Sequence, residues 1–288
     1  VQAPIPQPRL QPNVPQVPVR APRDGEPPEE PFLKRAPLTT VLIGLNVAIF
    51  TLQVWHAAYH GHPDPNGPAG GIGSLATMPS YTLHVFGAND AELTMNSGHV
   101  EALLASVFLH GSLLHLAFNM FALRQIGQFM ERTVTATRMM SLYVVSGVVA
   151  SLSSAFVGWF LDAGRLSVGA SGAICGLIGA ALVTGYRIEG PSSPVMRTMA
   201  RWLLSVVIFG LVTRGLTRGR GGVDNAAHIG GAISGAVIAM LWRRGREPSP
   251  MVKLLTLASF VGLLGGTAVA VVIRDANDPA LHERDPSR

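Results

Sequence analysis

Five side chains in three separate stretches of this 288-residue chain have the types and spacing for acyl-transfer chemistry. His110-Gly-Ser-Leu-Leu-His115-Leu-Ala-Phe-Asn119 supplies two imidazoles and an amide. Gly169-Ala-Ser171-Gly172 presents a hydroxyl in a context almost free of side-chain bulk, and Asn225-Ala-Ala-His228 brings another imidazole. A serine becomes a useful nucleophile when a base takes its proton, and histidine is the usual base. The oxyanion that develops in acyl transfer needs preorganised donors, which Asn and His side chains and backbone N–H groups provide. Ser171 and His228 are therefore the candidate nucleophile and base. His115, Asn119 and the Ser171 N–H are the candidate donors, and Gly169 and Gly172 keep the turn open. His110 falls on a different face from His115 and reads as a structural or supporting residue.

Other polar groups in the same stretches have simpler readings. Asp224 lies one turn before His228, but Asp is a favoured N-cap residue, so capping of the following helix is expected. Glu131 closes its segment beside Arg132 and Arg138, which favours pairing with those cations or with backbone groups. Cys175 lies one turn inside an apolar stretch with no cationic neighbour, where a buried thiol is inert. Three histidines could instead serve a metal or haem, yet no H-E-x-x-H or other close ligand pair is present. That alternative also leaves the Gly-Ala-Ser-Gly turn without a purpose.

The elements that must position these groups are apolar spans. Only 14% of the residues are charged and 48% are hydrophobic, against about 25% charged in a soluble domain. The apolar residues fall into seven blocks at 38–58, 112–130, 138–160, 170–187, 200–216, 223–242 and 253–273, each near the ~20 residues that cross a bilayer. An all-α, polytopic membrane bundle is the expected fold class. The second, fourth and sixth blocks carry the polar groups, and such groups in hydrocarbon face a bundle interior or water. His115 and Asn119 are four apart and share one helix face. Ser171 begins its block, and His228 lies in the first turns of its own. If the blocks alternate in direction, all four groups lie in one layer. Gly172, Gly176 and Ala180 form one small-residue face, and Ala227, Gly231, Gly235 and Ala239 form another. Two such faces let helix backbones approach closely, which would carry the Ser171 hydroxyl to the His228 ring.

The net charge of +5 reads as topology rather than nucleic-acid binding, because the Lys and Arg lie between the spans. With the N-terminus inside, 14 Lys and Arg fall on the inner side and 7 on the outer, and none occurs between 59 and 110. The positive-inside rule then gives N-in, C-out; Arg214, Arg218 and Arg220 run against it. The long 59–110 segment would be external, with its apolar second half partly in the outer leaflet. Residues 1–37 are Pro-rich and poor in large apolar side chains, so a disordered tail is expected there. The single Cys175 excludes an intrachain disulfide framework.

These motifs, in this order and each in its own span, resemble the rhomboid family of intramembrane serine proteases. The resemblance rests on HGSLLHLAFN (110–119), VGASGAICGLIGA (168–180) and NAAHIGGAISG (225–235), with FGAN (86–89) and the glutamate of QFMER (128–132) in support. It covers about 40 to 243 and implies a six-helix catalytic core at 38–243. Residues 244–288 would add a linker, a seventh transmembrane helix and a short tail. It also implies a Ser171–His228 dyad opening to the extracytoplasmic side, needing no cofactor. Its partners would be the lipid bilayer and membrane-anchored proteins cut within a transmembrane helix, and the setting a bacterial cytoplasmic membrane. The alternative is a catalytically weak or inactive relative that binds transmembrane helices; a transporter is a further rival without a visible inverted repeat. Two positions depart from the family pattern. Glu101-Ala102 stand where many members carry Trp-Arg, so the external loop must be held in another way. Cys175 stands where many bacterial members place a Tyr against the base.

Overall fold

Seen from outside, the helices present large apolar side chains, while their inner faces mix apolar residues with small and polar ones. Leu52, Trp55, Phe118, Phe121, Phe156, Phe160, Phe209 and Ile233 are exposed, whereas Thr39, Asn46, Gln53, Ser146, Ser151 and Asn119 are buried. A water-soluble protein rarely exposes so many large apolar side chains; this surface suits hydrocarbon outside and packed helices within. The computed structural model describes residues 32–59, 73–161, 166–216 and 223–242, with isolated positions between 249 and 261. The expected seventh span at 253–273 lies almost wholly outside the described residues, as does the tail up to residue 31. The chain is already helical at Phe32–Arg35, inside the stretch expected to be disordered to residue 37.

Six long helices carry the fold: α1 (Pro37–Tyr59), α2 (Leu113–Thr133), α3 (Ala136–Phe160), α4 (Ser171–Glu189), α5 (Pro194–Leu216) and α6 (Asn225–Leu241). They match the first six apolar blocks closely. Four of them, α1, α3, α4 and α5, are long and apolar enough to cross a membrane. The segment Ala102–Phe108 meets α2 at 90°, and the two together make a fifth, broken span. By itself α2 is too rich in polar groups. With 17 residues, α6 would reach about 26 Å at 1.5 Å per residue, short of the ~30 Å hydrocarbon. The two helices that fall short are the ones bearing His115, Asn119 and His228.

Periodicity decides which face each helix buries. In α2 the buried residues are Leu116, Asn119, Leu123, Ile126, Gly127 and Met130, a three-four spacing that makes one stripe. Asn119 thus faces the interior. The buried stripe of α3 includes Gly147, Ala150, Ser151, Ser154 and Gly158. Central to the bundle, α4 packs on α6, α3 and α5, whereas α5 is peripheral and buries only Met199 and Gly210.

The described part of the segment between α1 and α2, from Gly73 onward, is folded. Short helices at Gly73–Ala76, Ser80–Val85, Ala91–Asn96 and Ala102–Ala105 precede a 3-10 turn at Ser106–Phe108. Met78, Leu83, Val85 and Phe86 form a second small core with Phe50, Ala57, Leu109 and Leu116. His56 packs edge-on against Phe86 at 5.6 Å between ring centroids. Strand β1 (Asn89–Asp90) pairs antiparallel with β2 (Leu166–Ser167), Asn89 opposite Ser167 and Asp90 opposite Leu166. This two-residue ladder is the one departure from an all-helical description among the described residues. Ala102 is buried at the start of its helix, and the segment is held by other groups. Asn89 Nδ2 donates to the Ser151 carbonyl at 2.7 Å, its Oδ1 accepts from the Thr94 hydroxyl, and the Ser106 and Ser151 hydroxyls lie 3.2 Å apart.

Candidate active site

The Ser171 hydroxyl lies 2.8 Å from Nε2 of His228. Two helix starts make this contact possible. Ser171 is the first residue of α4 and His228 the fourth of α6, so both side chains project from the same end of the bundle. The helices approach backbone to backbone below them. A Cβ added at Gly231 would run into the Gly172 carbonyl, one at Gly235 into Gly176, and one at Gly179 into Ala232. Gly172 and Gly176 also face Ala150 and Ser146 of α3. The small-residue faces expected on α4 and α6 do touch, with Gly179 rather than Ala180 making the third close approach. Any larger residue there would push the serine and histidine apart.

Asp224 acts as the N-cap of α6: its Oδ1 accepts from the Ala227 N–H at 3.1 Å. Its second oxygen has a role the sequence did not suggest. Oδ2 accepts from the Ser167 hydroxyl at 2.8 Å and from the Ser154 hydroxyl. One carboxylate thereby joins the helix of His228, the wall of α3, and the strand that leads into Val168-Gly169. Ser154 and Ser167 gave no sequence signal, because a lone serine in an apolar or loop context has no periodic pattern. His228 Nδ1 is buried without a hydrogen-bond partner, so Asp224 does not complete a triad with it.

The approach to Ser171 is shaped by Gly169, whose φ of +123° is disfavoured for residues with a Cβ. A Cβ at this position would also lie 2.8 Å from His115 Nε2 and 3.3 Å from Asn119 Nδ2. Both conditions, conformation and space, call for glycine. The Gly169 N–H donates to the Ser106 carbonyl at 2.9 Å, which ties the loop to the 3-10 turn. His115 and Asn119 thus sit against the backbone two residues ahead of Ser171. His110 is fully buried outside that contact. Its ring packs edge-on to His115 at 5.1 Å, and its backbone N–H donates to Gln53 Oε1 at 3.2 Å. Gln53, on α1, is a further supporting residue without a legible sequence signal.

Helix capping separates α4 from the other long helices. Ser112 caps α2, Thr135 caps α3, Ser193 caps α5 and Asp224 caps α6, each accepting from a backbone N–H of its helix. Glu131 caps α1 from across the bundle, with Oε1 accepting from Leu38 N–H at 2.8 Å and Oε2 from Thr39 N–H at 2.9 Å. Of the partners expected for Glu131, these contacts are to backbone groups. In α4 the cap position is Ala170, and no side chain takes its first N–H groups. A helix start without a cap leaves donors aimed outward, a setting that favours negative charge. The amide of Asn119 is similarly placed: Nδ2 is buried and has no partner. A hydroxyl with a base beside it and open donors around it is an arrangement able to attack a carbonyl and hold the oxygen that becomes charged.

Cys175 is buried one turn after Ser171. Among the described residues, no group of three or more His, Cys, Asp or Glu side chains is placed to hold a metal ion.

Residues 97–245 match the Rhomboid domain. Rhomboid protease AarA of Providencia stuartii is 31% identical over 219 residues, covering 71% of this chain and 72% of that protein. RHOMBOID-like protein 5 of Arabidopsis thaliana is 36% identical over 157 residues, 54% of this chain and 47% of the relative. Rhomboid protease GluP of Bacillus subtilis is 34% identical over 154 residues, again 54% of this chain but only 28% of the relative.

Proposed function

The chain belongs to the rhomboid family of polytopic helical membrane proteins, and from that premise we propose that it is an intramembrane serine endopeptidase working through Ser171 and His228. The 2.8 Å approach of the Ser171 hydroxyl to His228 Nε2 carries this reading. Ser171 attacks the scissile carbonyl while His228 takes its proton. The uncapped start of α4, with Asn119 Nδ2 and His115, receives the oxyanion. His228 then protonates the leaving amine, and water, activated by the same imidazole, hydrolyses the acyl-enzyme. The reaction draws on no metal or cofactor in this scheme.

The substrates proposed are membrane-anchored proteins cut within or beside a transmembrane helix near the extracytoplasmic face. A chain in an intact helix has its carbonyls hydrogen-bonded, so the cleaved stretch must unwind before Ser171 can reach it. The charge bias of the sequence supports an inside N-terminus, which puts the starts of α2, α4 and α6 on the outer side. A bacterial cytoplasmic membrane is the setting proposed, with the seventh span at 253–273 carrying the C-terminus outward.

The rival reading, a weak or inactive relative that binds transmembrane helices, draws on Cys175 in place of an aromatic support. Labelling with a fluorophosphonate probe separates the two. The proposal expects the purified full chain to be labelled and Ser171→Ala not to be. Folded wild-type protein that resists the probe and leaves a model transmembrane substrate intact would refute it.

A further inference from the structure

Helix α1 buries a minority of its residues, yet the buried face is partly polar. Thr39, Asn46 and Gln53 stand seven residues apart on it, all three fully buried. Seven residues make nearly two turns, so the three share one face, and at 1.5 Å per residue they span about 21 Å of the helix. Each reaches a different neighbour. The Thr39 hydroxyl donates to Glu131 at 2.6 Å, Asn46 lies beside the Tyr143 hydroxyl, and Gln53 Oε1 accepts from the His110 N–H at 3.2 Å. The seam thus starts at the Glu131 clasp and ends on the segment that leads into His115.

That lead-in is held at two successive residues. Gln53 takes the His110 N–H, and the Gly111 carbonyl accepts from the Met78 N–H at 2.8 Å. With its backbone fixed, the His110 ring lies edge-on to His115, 5.1 Å between centroids. The Phe108 carbonyl is near the His110 ring, but neither ring nitrogen reaches a partner in hydrogen-bond geometry. The defined contact of this ring is with another ring. His115 needs such a contact, because the last torsion of a histidine is soft and its rotamer alone does not aim Nε2. The Nε2–Cε1 edge of His115 faces Gly169, two residues before Ser171, and His110 packs on the same imidazole. We propose that Gln53 and His110 are positioning residues for the oxyanion donor: Gln53 fixes the His110 backbone, and the His110 ring holds the His115 imidazole with Nε2 directed at the Ser171 site. The role is one of shape, and no proton passes through His110. The inference rests on the protease reading and deepens the part given there to His115.

The test is a double-mutant cycle on the full chain in detergent. It measures kcat and KM on a model transmembrane substrate and records the unfolding midpoint of every variant. His110→Ala should lower kcat about 10- to 100-fold, the scale of a slightly misplaced group, with KM nearly unchanged because the lost contact acts in the transition state. His110→Phe keeps a ring without nitrogens and should recover most of that loss. Gln53→Met, close in shape but without an acceptor, should lower kcat by a smaller factor. In a His115→Ala background, adding His110→Ala should cost less than about twofold, because the group it positions is gone. Losses that multiply in the double variant, or a folded His110→Phe as impaired as His110→Ala, would overturn the proposal. If His110→Ala does not fold, Gln53→Met takes its place in the cycle with His115→Ala. An inert wild type would overturn the protease reading and this one together, whereas multiplying losses in an active enzyme would overturn this one alone.

Discussion

The groups around Ser171 and the charged groups at the other end of the bundle are held in different ways. At the Ser171 end, Asn119 Nδ2 and His228 Nδ1 are buried without partners, and α4 starts without a cap. At the other end, Glu131 accepts from Leu38, Thr39 and the Thr39 hydroxyl, Arg187 donates to three carbonyls closing α6, and Glu189 accepts from the Ser193 hydroxyl. A buried polar group left unpaired costs about 1–3 kcal/mol. Asn119 and His228 thus bear a cost in stability that Glu131, Arg187 and Glu189 avoid. Open donors beside a nucleophile are what a transition state can use, and satisfied charges are what a fold can use. Under the proposed function, the contrast separates residues used in the reaction from residues used in the structure.

Substitutions at the two ends should therefore move different measurements. The largest effect belongs to Ser171→Ala and His228→Ala. Each should lower cleavage of a model transmembrane substrate by roughly 10⁴-fold or more, with the unfolding midpoint in detergent nearly unchanged. Asn119→Ala comes next. It should reduce cleavage about 10²- to 10³-fold without abolishing it, as for the loss of one oxyanion donor. Because it removes an unsatisfied amide, its midpoint should hold or rise. A clear fall in stability with normal cleavage would assign Asn119 to structure and break the comparison.

At the opposite end the signs reverse. Glu131→Ala leaves the first N–H groups of α1 without their acceptor and should cost about 1–3 kcal/mol of stability. The folded fraction should still cleave within about twofold of wild type, since small changes away from reacting groups leave transition-state contacts in place. Lost activity in fully folded Glu131→Ala would show that the two ends are coupled. Asp224→Ala is the smallest of the four and sharpens the boundary. The cap itself is worth about 0.5–2 kcal/mol, yet Asp224 also ties Ser154 and Ser167 to the helix of His228. Both readouts should fall modestly, and serine-probe labelling should slow along with cleavage. A fall in stability alone would reduce Asp224 to a cap.

The segment between α1 and α2 teaches a related lesson. Composition marked 59–110 as long, free of Lys and Arg, and apolar in its second half, but contained no periodic signal for what it packs against. Its anchors are single residues: Asn89 on the Ser151 carbonyl, Ser106 beside Ser151, Met78 N–H on the Gly111 carbonyl. Each contact joins residues far apart in the chain, and a lone polar residue carries no mark of its distant partner. Tertiary pairing overrode the loop expectation, including the β1–β2 ladder.

The sequence by itself determined the membrane bundle, because blocks of some twenty apolar residues have few other ways to satisfy both their side chains and their backbones. It also marked Ser171, His228, His115 and Asn119 as candidate reacting residues, since they stand out as polar groups in apolar helices, and showed which faces could approach, since glycine spacing is visible in one dimension. Tertiary structure alone decided the remainder. The 2.8 Å separation of Ser171 from His228, the absence of a side-chain cap on α4, and the reach of Glu131 to Leu38 and Thr39 all depend on how helices seat against one another. Hydrophobic pattern fixes a helix and its face, but packing fixes its height and rotation, and a hydrogen bond is sensitive to both.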